Sequence, residues 1–206
     1  AMDYAVSRPD VVPEPVVVDQ QMLALSQRLA AVDELTGLFN RRFLDVYLGK
    51  ELNRARRYRE HFSILFIDLD NFKSINDSYG HDVGDQVLAG LAREILRMLR
   101  REDFAARYGG EEFLVVLPHT ETDGAQRFSD RLAESLAAIE FPGGIRVTYS
   151  GGIATFPLHG SSSRELLRNA DSALYQAKLN GKAHTRVAVS DKRSSPRHIA
   201  DLRALC

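Results

Sequence analysis

The sequence predicts an α+β domain: a mainly antiparallel sheet of about five strands with helices covering its faces. Three features predict it. Phe62-Ser63-Ile64-Leu65-Phe66-Ile67-Asp68 is a nearly continuous apolar run, the pattern of a strand buried on both faces and therefore central. Arg107-Tyr108-Gly109-Gly110-Glu111-Glu112-Phe113, running into Leu114–Leu117, has the form of a tight hairpin. Two central glycines there suit a type I′ turn, which needs positive φ at both positions. Along the chain, helix and strand patterns alternate as helix, strand, helix, hairpin, helix, strand, helix, strand.

Taken in order, residues 1–16 carry Pro9, Pro13 and Pro15 and read as an extended lead-in. From Val18 the apolar residues Val18, Met22, Leu25, Leu29 and Val32 form an a/d seam of about two heptads, expected as a stalk helix over 17–32. Gly37 interrupts, and Asn40 is placed to cap a helix reaching about Arg59 that buries Phe43, Leu44, Tyr47, Leu48 and Leu52. After the central strand, a short helical turn near Asn71–Asp77 precedes an amphipathic helix on Val87, Leu88, Leu91, Ile95, Leu96 and Leu99. Strands follow at Phe104–Tyr108 and Glu112–Leu117, a helix at about Asp123–Ile139, and a strand from Ile145 through the glycines of Ser150–Ala154. Glycine within a strand signals close approach of a backbone or ligand. A helix over Ser162–Asn180 and a short strand at Thr185–Val189 close the domain expected over 33–189. Residues 190–206 read as a tail.

Composition narrows the functional classes. The 206 residues are 44% hydrophobic and 27% charged with a formal net charge of −1, which gives no electrostatic case for nucleic acid or an anionic membrane. The single cysteine, Cys206, excludes an intrachain disulfide and a multi-cysteine zinc site. No apolar run approaches a membrane span. A cytoplasmic setting is the expectation, and the opening Ala1-Met2 suggests a piece of a longer protein, itself open to membrane attachment. The six histidines show no metal-ligand spacing.

The chemistry-bearing residues cluster at two places. Asp68 ends the central strand, and Glu111 and Glu112 start the returning strand of the hairpin. Alternation sends those two glutamates to opposite faces. If the strands are neighbours, the acids converge at one end of the sheet, a donor set that suits Mg²⁺ held by one or two carboxylates plus substrate phosphates. Lys73 offers a positive charge, and the N–H groups of Asn71 and Phe72 offer a helix start to a phosphate. No GxxxxGK[ST] loop is present.

Five ordered blocks carry a resemblance: DELTGLFNRR at Asp33–Arg42, FIDLDNFKSINDSYGHDVGD at Phe66–Asp85, RYGGEEF at Arg107–Phe113, SGGIA at Ser150–Ala154 and ADSALYQAKLNGK at Ala170–Lys182. Together they resemble the GGDEF-family diguanylate cyclase domains, in the variant reading GGEEF, usually the C-terminal output domain of a larger signalling protein. The resemblance implies a fold like the nucleotidyl-cyclase and polymerase palm, and condensation of two GTP into cyclic di-GMP with release of two pyrophosphates. It makes Asp68, Glu111 and the Leu69 carbonyl the ligands of Mg²⁺ or Mn²⁺, two ions per site. It gives Glu112 and Lys73 catalytic parts beside Glu111. It makes Asn76 and Asp85 the guanine readers, and sets Lys73, Lys178 and Lys182 on the triphosphate with Asn71 and Phe72. Gly109 and Gly110 would let the chain pass beside the nucleotide. Lys182 departs from the arginine common in relatives and keeps the charge without the bidentate fork.

One domain holds one GTP while the product contains two, so the resemblance implies a homodimer, with an upstream sensory or receiver domain feeding the stalk. Arg100-Arg101-Glu102-Asp103 is an RxxD pattern; in this family that offset from the signature marks an inhibitory cyclic di-GMP site, completed by an arginine matching Arg131 from a partner domain. Asp33 with Arg41 or Arg42 is expected to tie the stalk to the domain. A silent receptor for cyclic di-GMP or GTP, and a cyclase of another nucleotide, are the competing classes.

Overall fold

A computed structural model of the chain describes residues 31–190. The lead-in, the seam from Val18 to Leu29 and the tail from Asp191 lie outside the described residues. A six-stranded mixed sheet is flanked by helices, with β1 (Phe39–Asn40), β2 (Phe62–Leu69), β3 (Phe104–Arg107), β4 (Glu112–Pro118), β5 (Tyr149–Phe156) and β6 (Thr185–Val187). The helices are α1 (Arg41–Tyr58), α2 (Phe72–Tyr79), α3 (His81–Met98), α4 (Thr122–Ala137) and α5 (Ser163–Leu179). In the order β1-β3-β4-β2-β5-β6, β2 lies at the centre, antiparallel to both β4 and β5, and every one of its residues is buried. The two outer pairs, β1 with β3 and β5 with β6, are parallel. The strand beyond the expected five is β1, two residues long and too short to carry a period-2 signal.

The pleat of β2 sorts the core into two layers. Ile64 and Phe66, with Leu114 and Val116 of β4, pack against Leu44 and Leu48 of α1 and Leu166, Ala170 and Leu174 of α5. Leu65 and Ile67, with Val115 and Leu117, face Val87, Leu91 and Ile95 of α3 and Phe128 and Leu132 of α4. Both faces of the sheet are therefore apolar, which is why the central strand lacks alternation.

The expected cap holds: the Asn40 side chain accepts the Phe43 N–H at 3.1 Å at the start of α1. Ser162 likewise caps α5 by accepting from the Glu165 N–H. Other expectations are corrected. Phe43 is 39% exposed and Tyr47 half-buried; they stack instead on the outer face with Phe39 and Phe104, the Tyr47 and Phe104 centroids 4.1 Å apart. The strand expected from Ile145 starts only at Tyr149, because Gly143 and Gly144 at φ +82 and +72 form a turn closed by the Phe141–Ile145 bridge. The type I′ hairpin does not form either. Neither Gly109 nor Gly110 has positive φ, and residues 108–111 make a wider connection in which the N–H groups of Tyr108 and Gly109 both donate to the Glu112 carbonyl. A Cβ on Gly109 would stand 2.4 Å from Glu112 Oε2 and displace that carboxylate.

The glycines of β5 answer the sequence signal for close approach. At Gly152 a Cβ would lie 2.0 Å from the Ala170 carbonyl oxygen and 2.5 Å from the Leu174 nitrogen. The backbone of α5 thus rests directly on the sheet, which fixes the height of every side chain that α5 presents.

Candidate active site

The site is built at the end of β2. Antiparallel register sets Asp68 directly opposite Glu112, so the two share a face of the sheet, the face covered by α5. The Leu69 N–H donates to the Glu111 carbonyl at 3.3 Å, which ties the hairpin's first acid to the strand end. Glu111 precedes β4 and escapes its alternation, so both glutamates lie within electrostatic reach of Asp68.

Asp68 is 5% exposed, and its Oδ2 lies 2.7 Å from the Lys178 ammonium on α5. Burial raises the Asp68 carboxyl above its usual range, Lys178 works against this, and neighbouring Asp70 adds to it. Burial also raises Glu111 and Glu112, and in both the Asp68 charge adds while Lys178 opposes. Three carboxyls thus crowd one sheet end with a partial answer from one ammonium. Lys182 adds a further attraction to Asp68, and its Nζ donates to Asn71 Oδ1 at 2.7 Å. Asn71 and Lys182 both sit in the left-handed region, at φ +57 and +62, so two tight turns present these side chains to each other.

Among the described residues no three Asp, Glu, His or Cys side chains close on one point as a complete ligand set. Mg²⁺ does not require one, since it takes one or two carboxylates and fills the remainder with water and phosphate oxygens. Mutually repelling acids, with an ammonium drawn onto one of them, form a hard-oxygen environment short of positive charge. The donor set fits a divalent cation.

Asp70, two residues on, has a different part that sequence reading missed. It is 5% exposed and accepts hydrogen bonds from Thr148 Oγ1, Ser150 Oγ and the Ala183 N–H, all within 3.0 Å. It ties the end of β2 to β5 and to the loop bearing Lys182. The second acid of Asp68-Leu69-Asp70 was the available signal.

The remaining residues sort by place. Phe72 and Lys73 open α2, an eight-residue helix rather than a single turn, and Lys73 is exposed. The first N–H groups of such a helix have no partner inside it. Asn76 lies later on α2 and Asp85 at the start of α3, beyond the same end of β2. Arg107 secures the glycine loop. Its Nη2 donates to the Gly110 carbonyl at 2.7 Å, its Nε to Gly109, and its Nη1 pairs with Asp33 at 3.2 Å. Asp33 therefore pairs with Arg107, not with Arg41 or Arg42; Arg41 stacks over the Tyr108 ring at 4.3 Å. Burial would raise Asp33, but hydrogen bonds from Thr36 and the Arg107 charge hold it below the usual carboxylate range.

A second cluster lies at the α3–β3 junction. The Arg100 N–H donates to Asp103 Oδ2 at 2.8 Å, while Asp103 Oδ1 is buried without a hydrogen-bond partner. Arg131, on α4 of the same chain, lines a recess of about 30 Å³ together with Arg100 and Asp103. Arg100, Asp103 and Arg131 of one chain thus border the same recess.

The model of the diguanylate cyclase GGDEF domain matches residues 30–184. The chain belongs to the GGDEF family. It is 38% identical over 164 residues to a probable diguanylate cyclase, DgcC, of Escherichia coli, and 38% identical over 162 residues to the response regulator PleD of Caulobacter vibrioides. These alignments cover 79% and 76% of this chain but 44% and 36% of the relatives, so the chain spans less than half the length of either. Among solved structures, the GGDEF domain of PA1120 (YfiN or TpbB) from Pseudomonas aeruginosa superposes with a TM-score of 0.71 at 39% identity, covering 75% of this chain and 98% of that one. The coiled coil and GGDEF domain of Caulobacter crescentus DgcB, crystallised with c-di-GMP, gives 0.76 at 28% identity over 82% and 91% of the two chains. No helix among the described GGDEF residues is long and apolar enough to cross a membrane.

Proposed function

We propose that this GGDEF domain is a diguanylate cyclase that condenses two GTP into cyclic di-GMP and two pyrophosphates across a homodimer. The observation that carries the reading is the Asp68–Glu112 register with Glu111 beside it and Lys178 on Asp68. A reaction that gathers phosphates and a cation accounts for that crowding of acids and lysines at a sheet end.

In this reading Asp68 and Glu111 hold Mg²⁺ or Mn²⁺, with the Leu69 carbonyl assisting. Such a cation, when bound, would supply Lewis acidity to the 3′-hydroxyl and positive charge against the α-phosphate and the leaving pyrophosphate. The chain's own residues do the rest. Lys73, Lys178 and Lys182 bind the triphosphate, and the Asn71 and Phe72 N–H groups point at it from the start of α2. Lys178 exchanges its Asp68 contact for a phosphate oxygen. Asn76 and Asp85 select guanine, because adenine would leave both mispaired. As the 3′-oxygen bonds to the partner's α-phosphorus, the bond to the β-phosphate bridging oxygen breaks, and Glu111 or Glu112 accepts the hydroxyl proton. Each domain contributes one GTP, so two domains meet about a two-fold axis. The same proposal places the domain in the cytoplasm, downstream of a sensory or receiver domain.

The test is to incubate the purified protein with GTP or with ATP plus Mg²⁺ and identify products by chromatography. Cyclic di-GMP from GTP alone is the expected outcome, with a specific rate that rises with protein concentration. No product from GTP, or equal use of ATP, would refute the reading.

Product inhibition at Arg100, Asp103 and Arg131 belongs to the same proposal. The unpartnered Asp103 Oδ1 is an acceptor awaiting a donor such as a guanine edge, and Arg100 is exposed for phosphate. Because Asp103 is held by the Arg100 backbone and not by its side chain, Arg100→Ala leaves Asp103 in place. Inhibition by cyclic di-GMP should weaken about 10- to 100-fold, the scale of one charge-assisted contact, with initial GTP turnover unchanged. Equal inhibition of variant and parent would contradict the assignment.

A further inference from the structure

Helices α2 and α3 are joined through Gly80 alone and pack closely, with Asn76 on the first and Asp85 on the second. Where they meet, a Cβ on Gly84 would stand 1.9 Å from Asn76 Oδ1, 3.0 Å from Asn76 Cγ and 3.2 Å from Phe72 Cζ. Gly84 is buried inside α3 and has no positive φ, so the backbone does not need glycine there. Helix propensity opposes it, glycine being a poorer helix former than alanine. The Asn76 amide is what needs the space.

We propose that Gly84 is a positioning residue for base selection: its missing side chain is the berth of the Asn76 amide and holds that amide beside Asp85. This rests on the reading of Asn76 and Asp85 as guanine contacts. The atom nearest an added Cβ is the far end of a side chain with two free torsions. Gly84→Ala is therefore absorbed by rotation of Asn76, with a few tenths of an ångström from the Phe72 ring, and not by separation of the helices. Folding survives while the amide leaves its place.

The experiment compares the full chain with Gly84→Ala, Asn76→Ala and the double variant, reading GTP affinity by calorimetry, KM and kcat for GTP, and melting temperature. The expected result for Gly84→Ala is a GTP affinity about tenfold weaker and a KM raised in step, with kcat and melting temperature retained. Cyclic di-GMP binding at Arg100 and Asp103 should not change. The double variant should bind GTP no more weakly than Asn76→Ala alone, because the group displaced by the new Cβ is already gone. Unchanged GTP affinity in Gly84→Ala overturns the proposal. So does a large fall in its melting temperature, or multiplicative losses in the double variant. A parent chain that does not bind GTP overturns the guanine reading beneath it, an outcome separate from these.

Discussion

Asp68→Asn should reduce cyclic di-GMP formation on the order of 10²-fold or more, the scale of losing one preorganised electrostatic group at a reacting centre. Shape is kept, so the loss reports charge. The parent carboxyl is buried, raised by that burial, and repelled by Asp70, Glu111 and Glu112, which makes its ionised form costly to hold. Removing it relieves the repulsion but strands the Lys178 ammonium that sat 2.7 Å away. These effects oppose each other, and Lys178 is about a third exposed and able to reach water. The melting temperature should therefore move little, within about 3 °C either way, on the usual conversion of roughly 1 kcal/mol for a domain of this size. Product chromatography and thermal melting on one preparation check both halves. Retained turnover would remove Asp68 from the centre of the mechanism, and a collapsed melting temperature would recast it as a structural acid like Asp70.

Gly152→Ala carries the largest expected stability effect. Its Cβ would fall 2.0 Å from one backbone atom of α5 and 2.5 Å from another, and backbone atoms cannot rotate aside. The helix must rise off the sheet, exposing contacts of Leu166, Ala170 and Leu174 with the β2, β4 and β5 side chains. Overpacking of this kind costs about 3 kcal/mol or more, a fall in melting temperature of roughly 6–12 °C. Because α5 carries Lys178, turnover should fall as well. Gly49→Ala is the control: no atom lies within 4 Å of its Cβ, and it sits inside α1, so a gain of about 0.5–1 kcal/mol is expected. Equal melting temperatures for Gly152→Ala and the parent would mean that α5 does not rest on the sheet as described.

The difference between these two glycines illustrates what one-dimensional reading reaches. The run Ser150-Gly151-Gly152-Ile153-Ala154 signals that something approaches a strand closely, without saying what. The helix that does so follows in the chain, and only packing brings Ala170 and Leu174 over Gly152. Gly109-Gly110 misled for the complementary reason. Paired glycines have two physical uses, positive φ and absence of a Cβ; local pattern favours the first, whereas neither φ is positive here and a Cβ on Gly109 would displace the Glu112 carboxylate. Phe43 went astray because its helical spacing matched a buried face, whereas an aromatic stack with Phe39 and Phe104 holds it at the surface.

The sequence by itself determined the helices, the central strand, the hairpin and the acids at its start, because each is written in local periodicity, capping and motif order. Through its family resemblance it named Asp68, Glu111, Asn76, Asp85, Arg100 and Asp103 as candidate positions. The tertiary structure alone decided how they meet. Antiparallel register set Glu112 opposite Asp68, the bare surface of Gly152 lowered α5 until Lys178 reached that acid, and Asp70 and Arg107 turned out to be the ties that hold the strand end and the glycine loop. Those outcomes depend on contacts between residues tens of positions apart, whose energies come from packing and charge in three dimensions and leave no period in the chain.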